Sequence, residues 1–396
     1  MSKTKEVKAK EPLFHIVARD VMHPGASFGI RVAAFVVALL LSALFVWVTV
    51  NVDLITFLKT MFRGAFGMDK VFEAEGFENA WTALLSSYMW ATLKAAAKLL
   101  IIAVALGPAF KMRFWNVGAE GQVIIGAMAA AFVMYHYSTM PGPLLLLVML
   151  VVSILAGGIW GLIPAFFKTK LNTNETLFTL MMNYIAMKIA DYFYNLWRGA
   201  KSALGMINQT SRAGWLRSLW SGKDAAWFRN EDLWFMIIVL VFTVLMFFYL
   251  KSTKQGYEIA VVGESHNTAR YAGISVTKVM LRTMAISGAI CGICGFLLVS
   301  SQSHTINSAM AGGFGFTAII VAWLSKFNSF TMIGTSVLIV ALQNGSMLMA
   351  NTYSDRGFSP SAADVIVAIM LLMVIGCEFF IKYRVMFKHS AKEAKA

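Results

Sequence analysis

The chain has 396 residues, 58% of them hydrophobic and 14% charged, with a mean hydropathy of +0.68 and a formal net charge of +14. That balance lies far outside the range of soluble globular domains and marks an integral membrane protein. The surplus of lysine and arginine falls between the apolar runs, where retention of cytoplasmic loops accounts for it without a nucleic-acid partner.

Residues 1–29 are mostly polar and carry Lys3, Lys5, Lys8 and Lys10. The apolar run that follows, near 30–50, is too long for a signal-peptide core and is expected to stay in the membrane as the first span. Further spans are predicted near 88–110, 117–136, 143–166, 175–197, 233–250, 277–299, 308–325, 330–349 and 362–383. Most approach the roughly 20 apolar residues that cross about 30 Å of hydrocarbon as helix. Backbone groups cannot stay unpaired in lipid, so these runs are helices rather than open strands. The expected fold class is an all-α membrane protein, a polytopic bundle of about ten transmembrane helices. Some of these are broken or re-entrant, chiefly around the glycine-rich stretch Ser308–Gly315.

With the N-terminus in the cytoplasm, Lys111, Arg113, Lys168, Lys170, Lys251, Lys254, Arg270 and Lys326 fall on the inner side. So do Lys382, Arg384, Lys388 and Lys392, the last two in a cytoplasmic tail at 386–396. The opposite side is acidic (Asp53, Asp69, Glu73, Glu75, Glu78), uncharged (Tyr137–Gly142), or balanced (Asp355, Arg356). The alternation supports both the count and a multi-pass chain with cytoplasmic termini.

Polar groups within apolar spans are expensive and default to functional hypotheses. In the second span Lys94 and Lys98 lie four apart; they either snorkel outward or meet an anionic substrate. FWNVGAEGQVIIGAM, Phe114–Met128, brings Asn116, Glu120 and Gln122 together with Gly118 and Gly121. Two readings stay open: side chains along a translocation pathway, or polar groups that tie up backbone freed at a helix break. TNETLFTLMMNYIA poses the same question for Asn174, Glu175 and Asn183. There Asn172–Asn174 can cap a helix beginning near Glu175, whose carboxylate suits a helix N-terminus, while Asn183 is the better pathway candidate.

The segment 198–232 is predicted to be external yet is basic, with Arg198, Lys201, Arg212, Arg217, Lys223 and Arg229, and it holds Trp215, Trp220 and Trp227. It reads as an interfacial helix or as a docking surface for an external partner. The cytoplasmic segment 251–276 is longer than a turn needs, and its glycines predict short helices ending at Gly263 and Gly273. It reads as a surface on which a cytoplasmic partner pushes. Cys291 and Cys294 form a C-x-x-C inside ISGAICGICGFLL and are expected to pack rather than bind metal. No G-x-x-x-x-G-K-[ST] loop, H-E-x-x-H pattern or serine nucleophile elbow occurs, so no metal site and no ATPase site of the chain's own is expected.

FWNVGAEGQ, TNETLFTLMMNYIA, GYEIAVVGESHNTARYAGI, SGAICGICGFLLV and GFGFTAIIVAWLSKFNS together resemble a known family, in its order, over about residues 30–385. The chain is similar to permease subunits of bacterial ATP-binding-cassette importers for simple sugars, branched-chain amino acids and nucleosides, and is most like the nucleoside branch. The resemblance implies a second, homologous permease forming a heterodimer with this chain, ATPase subunits holding ATP and magnesium, and an extracytoplasmic substrate-binding protein. It implies the bacterial cytoplasmic (inner) membrane as the location. Gly263, Glu264, Asn267, Arg270, Tyr271 and Gly273 would then transmit motion from the ATPase, and Asn116, Glu120 and Gln122 would shape the pathway wall. The alternatives are the same machine carrying a sugar such as ribose, or an ion-coupled secondary transporter, whose mark would be paired intramembrane carboxylates.

Overall fold

The computed structural model describes residues 14–19, 23–68, 77–216 and 230–387, and is helical almost throughout. In chain order its helices are α1 (Pro24–Val50), α2 (Leu54–Phe66), α3 (Phe77–Leu85), α4 (Tyr88–Lys111), α5 (Ala119–His136), α6 (Gly142–Leu171) and α7 (Glu175–Arg198). They continue with α8 (Glu231–Ser252), α9 (Lys254–Glu264), α10 (His266–Tyr271), α11 (Val276–Leu297), α12 (Phe314–Leu324), α13 (Ser329–Thr352) and α14 (Pro360–Lys382). Among the described residues seven helices are long and apolar enough to cross a membrane: α1, α4, α6, α8, α11 with its π-helical extension Leu298–Ser303, α13 and α14. The 18-residue α5 and the 24-residue α7 are more polar.

The break expected around Ser308–Gly315 is present, and one other expectation changes. The span near 308–325 is helical only from Phe314 to Leu324, 11 residues or about 16 Å at 1.5 Å per residue, too short to cross the hydrocarbon. Its glycine-rich first half forms turns, with Gly312 and Gly313 in the left-handed region at φ 70° and 73°. The segment after the first span, read only as an external loop, contains α2 and α3; α2 is strongly amphipathic and buries Phe57, Met61, Gly64 and Ala65.

The chain divides into two compact units. The first joins the two ends of the sequence, residues 1–65 and 342–396. In it α1 packs along α14, and Ala38, Val46, Phe57, Met349, Phe358, Ile366 and Met370 form the core. Arg31 reaches Glu378 at 2.6 Å, fastening α1 to α14. A Cβ on Gly64 would lie 2.8 Å from that of Leu348, and one on Gly345 2.6 Å from the carbonyl oxygen of Met61, so only glycine lets α2 seat on α13. Two strands, β1 (Phe14–Ala18) and β2 (Tyr383–Phe387), pair antiparallel with Phe14 opposite Phe387 and Ala18 opposite Tyr383. The first and last described segments therefore lie on one side of the membrane, which requires an even number of crossings.

The second unit, residues 66–341, is organised around α11, which lies against α5 and α6. Helices in lipid gain little from hydrophobicity and associate through close backbone contact at small residues. Here a Cβ on Gly292 would run into the carbonyl oxygen of Ser153, one on Gly288 into that of Gly157, and one on Gly295 into the backbone of Val123 and Ala127. Ser153 adds a 2.7 Å hydrogen bond from its hydroxyl to the Gly126 carbonyl. Cys291 and Cys294 are fully buried in this contact, as packing residues are.

Candidate functional site

Between α4 and α5 the chain leaves the helix at Arg113 (φ 60°) and resumes at Ala119. Three polar residues here are buried: Asn116, Glu120 and Gln122 are at most 1% exposed. Asn116 Oδ1 accepts from the Gly118 amide at 3.0 Å, a local turn that satisfies one of the free N–H groups at the start of α5. Its amide nitrogen faces Gln122 Oε1 and Ser287 Oγ, each at 3.4 Å, while Gln122 Nε2 donates back to Asn116 Oδ1 at 3.3 Å.

From the other side α7 grips the same backbone. Thr179 and Asn183 stand one turn apart on a single helix face. Thr179 Oγ1 accepts from the Val117 amide at 3.1 Å, and Asn183 Nδ2 donates to the Val117 carbonyl at 2.9 Å. Asn183 Oδ1 takes the Gly121 amide at 2.9 Å. Both polar ends of Asn183 are thus engaged with backbone. A Cβ on Gly121 would lie 2.9 Å from Asn183 Oδ1, and one on Gly118 3.1 Å from the Thr179 Cβ, so the two glycines permit this approach.

Glu120 turns a third way. Its carboxylate accepts from the amides of Gly313 at 2.8 Å and Gly315 at 2.7 Å, capping the N-terminus of α12 across 193 and 195 residues of sequence. A carboxylate is the natural partner there, because the free N–H groups and the helix dipole both favour negative charge. Gly315 has no room for a side chain: a Cβ would sit 2.7 Å from both Glu120 Cα and Oε2. Lys98 approaches the same junction, with its ammonium 4.4 Å from the Phe314 ring centroid and in electrostatic reach of Glu120. Lys98 is near the midpoint of α4, so the junction lies about 15–20 Å from either end of that helix.

Other residues singled out from the sequence lie apart from this junction. Lys94 pairs with Asp232 in the first turn of α8 at 3.2 Å. Asn174 caps α7, accepting from the Leu177 amide at 3.1 Å, and Glu175 pairs with Lys168 of α6 at 2.9 Å. Of the external tryptophans, Trp220 and Trp227 lie outside the described residues, as do Arg217, Lys223 and Arg229. Trp215 is no interfacial side chain: it is 9% exposed, donates from Nε1 to the Ile207 carbonyl at 3.0 Å, and stacks on His304 with ring centroids 3.7 Å apart. His304, at the end of the π-helical turn, also faces Glu231 at 3.3 Å through Nε2 and the Val299 carbonyl at 3.1 Å through Nδ1. Thr179, Ser287, His304 and Glu231 were not singled out from sequence. Only Thr179, one turn before Asn183, carried a detectable signal.

The segment 251–276 folds as two short helices, α9 and α10. Ile259, Val262 and Ala269 anchor them, each at most 1% exposed, and Glu258 reaches Arg282 of α11 at 2.9 Å. Gly263 is buried against the end of α4, where a Cβ would strike the Lys111 carbonyl. Glu264, Asn267, Arg270, Tyr271 and Gly273 face outward, Tyr271 with 94% of its surface exposed. The six residues therefore divide into one contact with the α4 end and five on a free surface.

A family described as branched-chain amino acid transport system / permease component matches residues 88–375. The chain is 28% identical to the guanosine ABC transporter permease protein NupP of Bacillus subtilis, over 76% of this chain and 85% of that one. It is 24% identical to the nucleoside ABC transporter permease protein NupB of Lactococcus lactis, over 78% and 85%. It is 29% identical to the glucose ABC transporter permease protein TsgB13 of Haloferax volcanii, over 74% and 77%. With buried polar helix breaks held inside an apolar bundle, and a match covering α4 through most of α14, the chain belongs to this family of membrane-spanning transport permeases.

Proposed function

We propose that the chain is a permease subunit of an ATP-binding-cassette importer in a bacterial cytoplasmic membrane, and that it carries nucleosides. The observation that carries the reading is the junction of Lys98, Glu120 and the α12 N-terminus at mid-depth of α4. Transporters place substrate sites where discontinuous helices end inside the membrane. Here the half-helix is already capped by the protein's own carboxylate, which suits an uncharged cargo better than an anionic one. Two of the relatives above are named for guanosine or nucleosides, which supports this cargo class.

On this reading the free face of α9–α10 receives an ATPase subunit that holds ATP and magnesium. Gly263 passes its motion to the end of α4, eight residues upstream of the α5 N-terminus. A second permease completes the pathway, and an external binding protein delivers substrate to the side bearing segment 198–232. The glucose relative favours a second reading, the same machine with a sugar as cargo.

Uptake of labelled purine and pyrimidine nucleosides, with ribose and a branched-chain amino acid as controls, separates these. It is measured in cells with and without the gene, and with ATP depleted while the ion gradient is held. Nucleoside uptake lost on deletion and on ATP depletion is expected. A response by ribose alone gives the sugar reading, and uptake that survives ATP depletion overturns the importer.

A further inference from the structure

Three helix ends on the side bearing the α9–α10 segment close in the same way. At each, the third residue past the helix end returns its amide to a carbonyl five residues back: Phe114 to Ala109, Ile274 to Ala269, and Phe327 to Ala322, at 2.9, 2.9 and 3.0 Å. This closure puts one residue in the left-handed region, where glycine is normal because it has no Cβ to clash. At the end of α10 that residue is Gly273, with φ 75°. At the end of α12 it is Lys326, φ 49°, followed by Phe327 at φ 61°. Strained backbone of this kind persists where the surrounding structure requires the side chain to point in a particular direction.

Lys326 lines an open cleft of about 400 Å³, together with Lys111 from the end of α4, Lys251 from the end of α8, and Phe247, Leu250 and Phe327. Three lysines line it, and no acidic residue is among its described lining residues. None of the three makes an ion pair among the described residues. Phe327 stacks on Phe110 with centroids 6.3 Å apart, and the Lys251 ammonium stands 5.2 Å from the Phe247 ring centroid. Lysines and apolar side chains thus line the same cleft.

We propose that this cleft seats the headgroup of an anionic phospholipid, its phosphate among Lys111, Lys251 and Lys326 and the start of its acyl chains on Phe247, Leu250 and Phe327. A free phosphate matches the lysines alone, whereas a lipid matches both the lysines and the apolar side chains. Basic pockets between transmembrane helices on the cytoplasmic side take acidic headgroups by this combination. The cleft borders Lys111, whose carbonyl meets Gly263, so an occupant would stiffen the contact through which α9–α10 reaches α4.

The test uses the full chain purified with its partner subunits. Binding of phosphatidylglycerol and of phosphatidylcholine is titrated by native mass spectrometry, with excess inorganic phosphate as a competitor. Each lysine near the surface contributes about fivefold, so Lys111→Gln and Lys251→Gln should each weaken phosphatidylglycerol about that much and leave phosphatidylcholine unchanged. Lys326→Gly should weaken it equally while melting no lower than the parent, because glycine relieves the left-handed turn. That variant separates lost affinity from lost fold, and Lys278→Gln, at a lysine outside the cleft lining, serves as the control. Equal binding by parent and variants overturns the proposal. Displacement of the lipid by inorganic phosphate makes the site a soluble-anion site and overturns it as well. So does loss of ATPase co-purification with lipid binding intact, which would make the lysines a protein contact.

Discussion

Replacing Glu120 with glutamine tests whether the carboxylate holds α12 in place. The substitution preserves shape and removes charge. In the parent both oxygens accept, from Gly313 at 2.8 Å and Gly315 at 2.7 Å. A glutamine has one oxygen, so whichever way the amide turns, an NH2 group confronts a backbone N–H. Hydrogen bonds to charged groups contribute about 1.5–3 kcal/mol, and an unsatisfied buried donor costs about 1–3 kcal/mol. A carboxylate at a partly buried helix N-terminus adds up to about 2 kcal/mol. Allowing for overlap between these contributions, about 3 kcal/mol should be lost. The assay is thermal unfolding of the purified chain in detergent, where this loss corresponds to a fall of roughly 4 °C for a chain of this size. Nucleoside uptake in cells should fall with it. Glu120→Ala should fall further, and Lys98→Met should cost less in the Glu120→Gln background than alone, since the pair is coupled. Unfolding of Glu120→Gln within about 1 °C of the parent would refute the capping argument, whatever uptake did.

Further outcomes follow from the same geometry. Gly292→Ala, which drives a Cβ into the Ser153 carbonyl, should separate α11 from α6 and cost about 1–3 kcal/mol, read as a lower melting temperature. Tyr271→Ala should leave melting unchanged, the side chain being 94% exposed, but weaken co-purification of the ATPase subunit; retention of the subunit at parental levels would move the docking surface elsewhere. Trp215→Ala removes a buried indole and its stack on His304, and should destabilise segment 199–216 by about 3–5 kcal/mol, seen as faster proteolysis there. Asp53, which precedes α2, has its carboxyl held below the usual carboxylate range by hydrogen bonds from the Thr56 side chain and amide. Because the folded value is depressed, its support for α2 is present above the ordinary carboxylate range and is lost as pH falls through the folded value. The protection of α2 amides against hydrogen exchange, taken relative to the intrinsic rate at each pH, should therefore fall below about pH 4 in the parent and much less in Asp53→Asn.

The spans were legible because apolar length is a local property of the chain, and the helix break at Asn116 because an amide and a carboxylate amid apolar residues advertise their cost. Lys98 and Glu120 were singled out, but their shared object was not: the N-terminus of α12 lies 193 residues beyond Glu120. Ser308–Gly315 read as a weak helix start, yet nothing local says which side chain would cap it. Asn183 stood out as a polar group deep in a span, but its partners did not: both ends of its amide meet the backbone of α5 and the stretch before it, more than 60 residues away in sequence. Trp215 misled by composition, since indoles in a basic loop resemble an interfacial helix whether or not they fold inward. The ladder between Phe14–Ala18 and Tyr383–Phe387 had no signal, because neither strand has a partner nearby in sequence.

Joining the two ends of the chain into one unit has a consequence in time. A ribosome delivers α1 and α2 first and must then make the whole of residues 66–341 before α14 emerges. At roughly 5–20 residues per second, α1 waits on the order of tens of seconds. Through that interval Arg31 has no Glu378, and the face carrying Ala38 and Val46 meets lipid or the insertion machinery instead of its partner. The central bundle, whose contacts are nearer in sequence, is complete before the terminal unit can close. The nascent chain should therefore pass through a stage with a folded middle and an open beginning, and a holding factor in the membrane would act on α1.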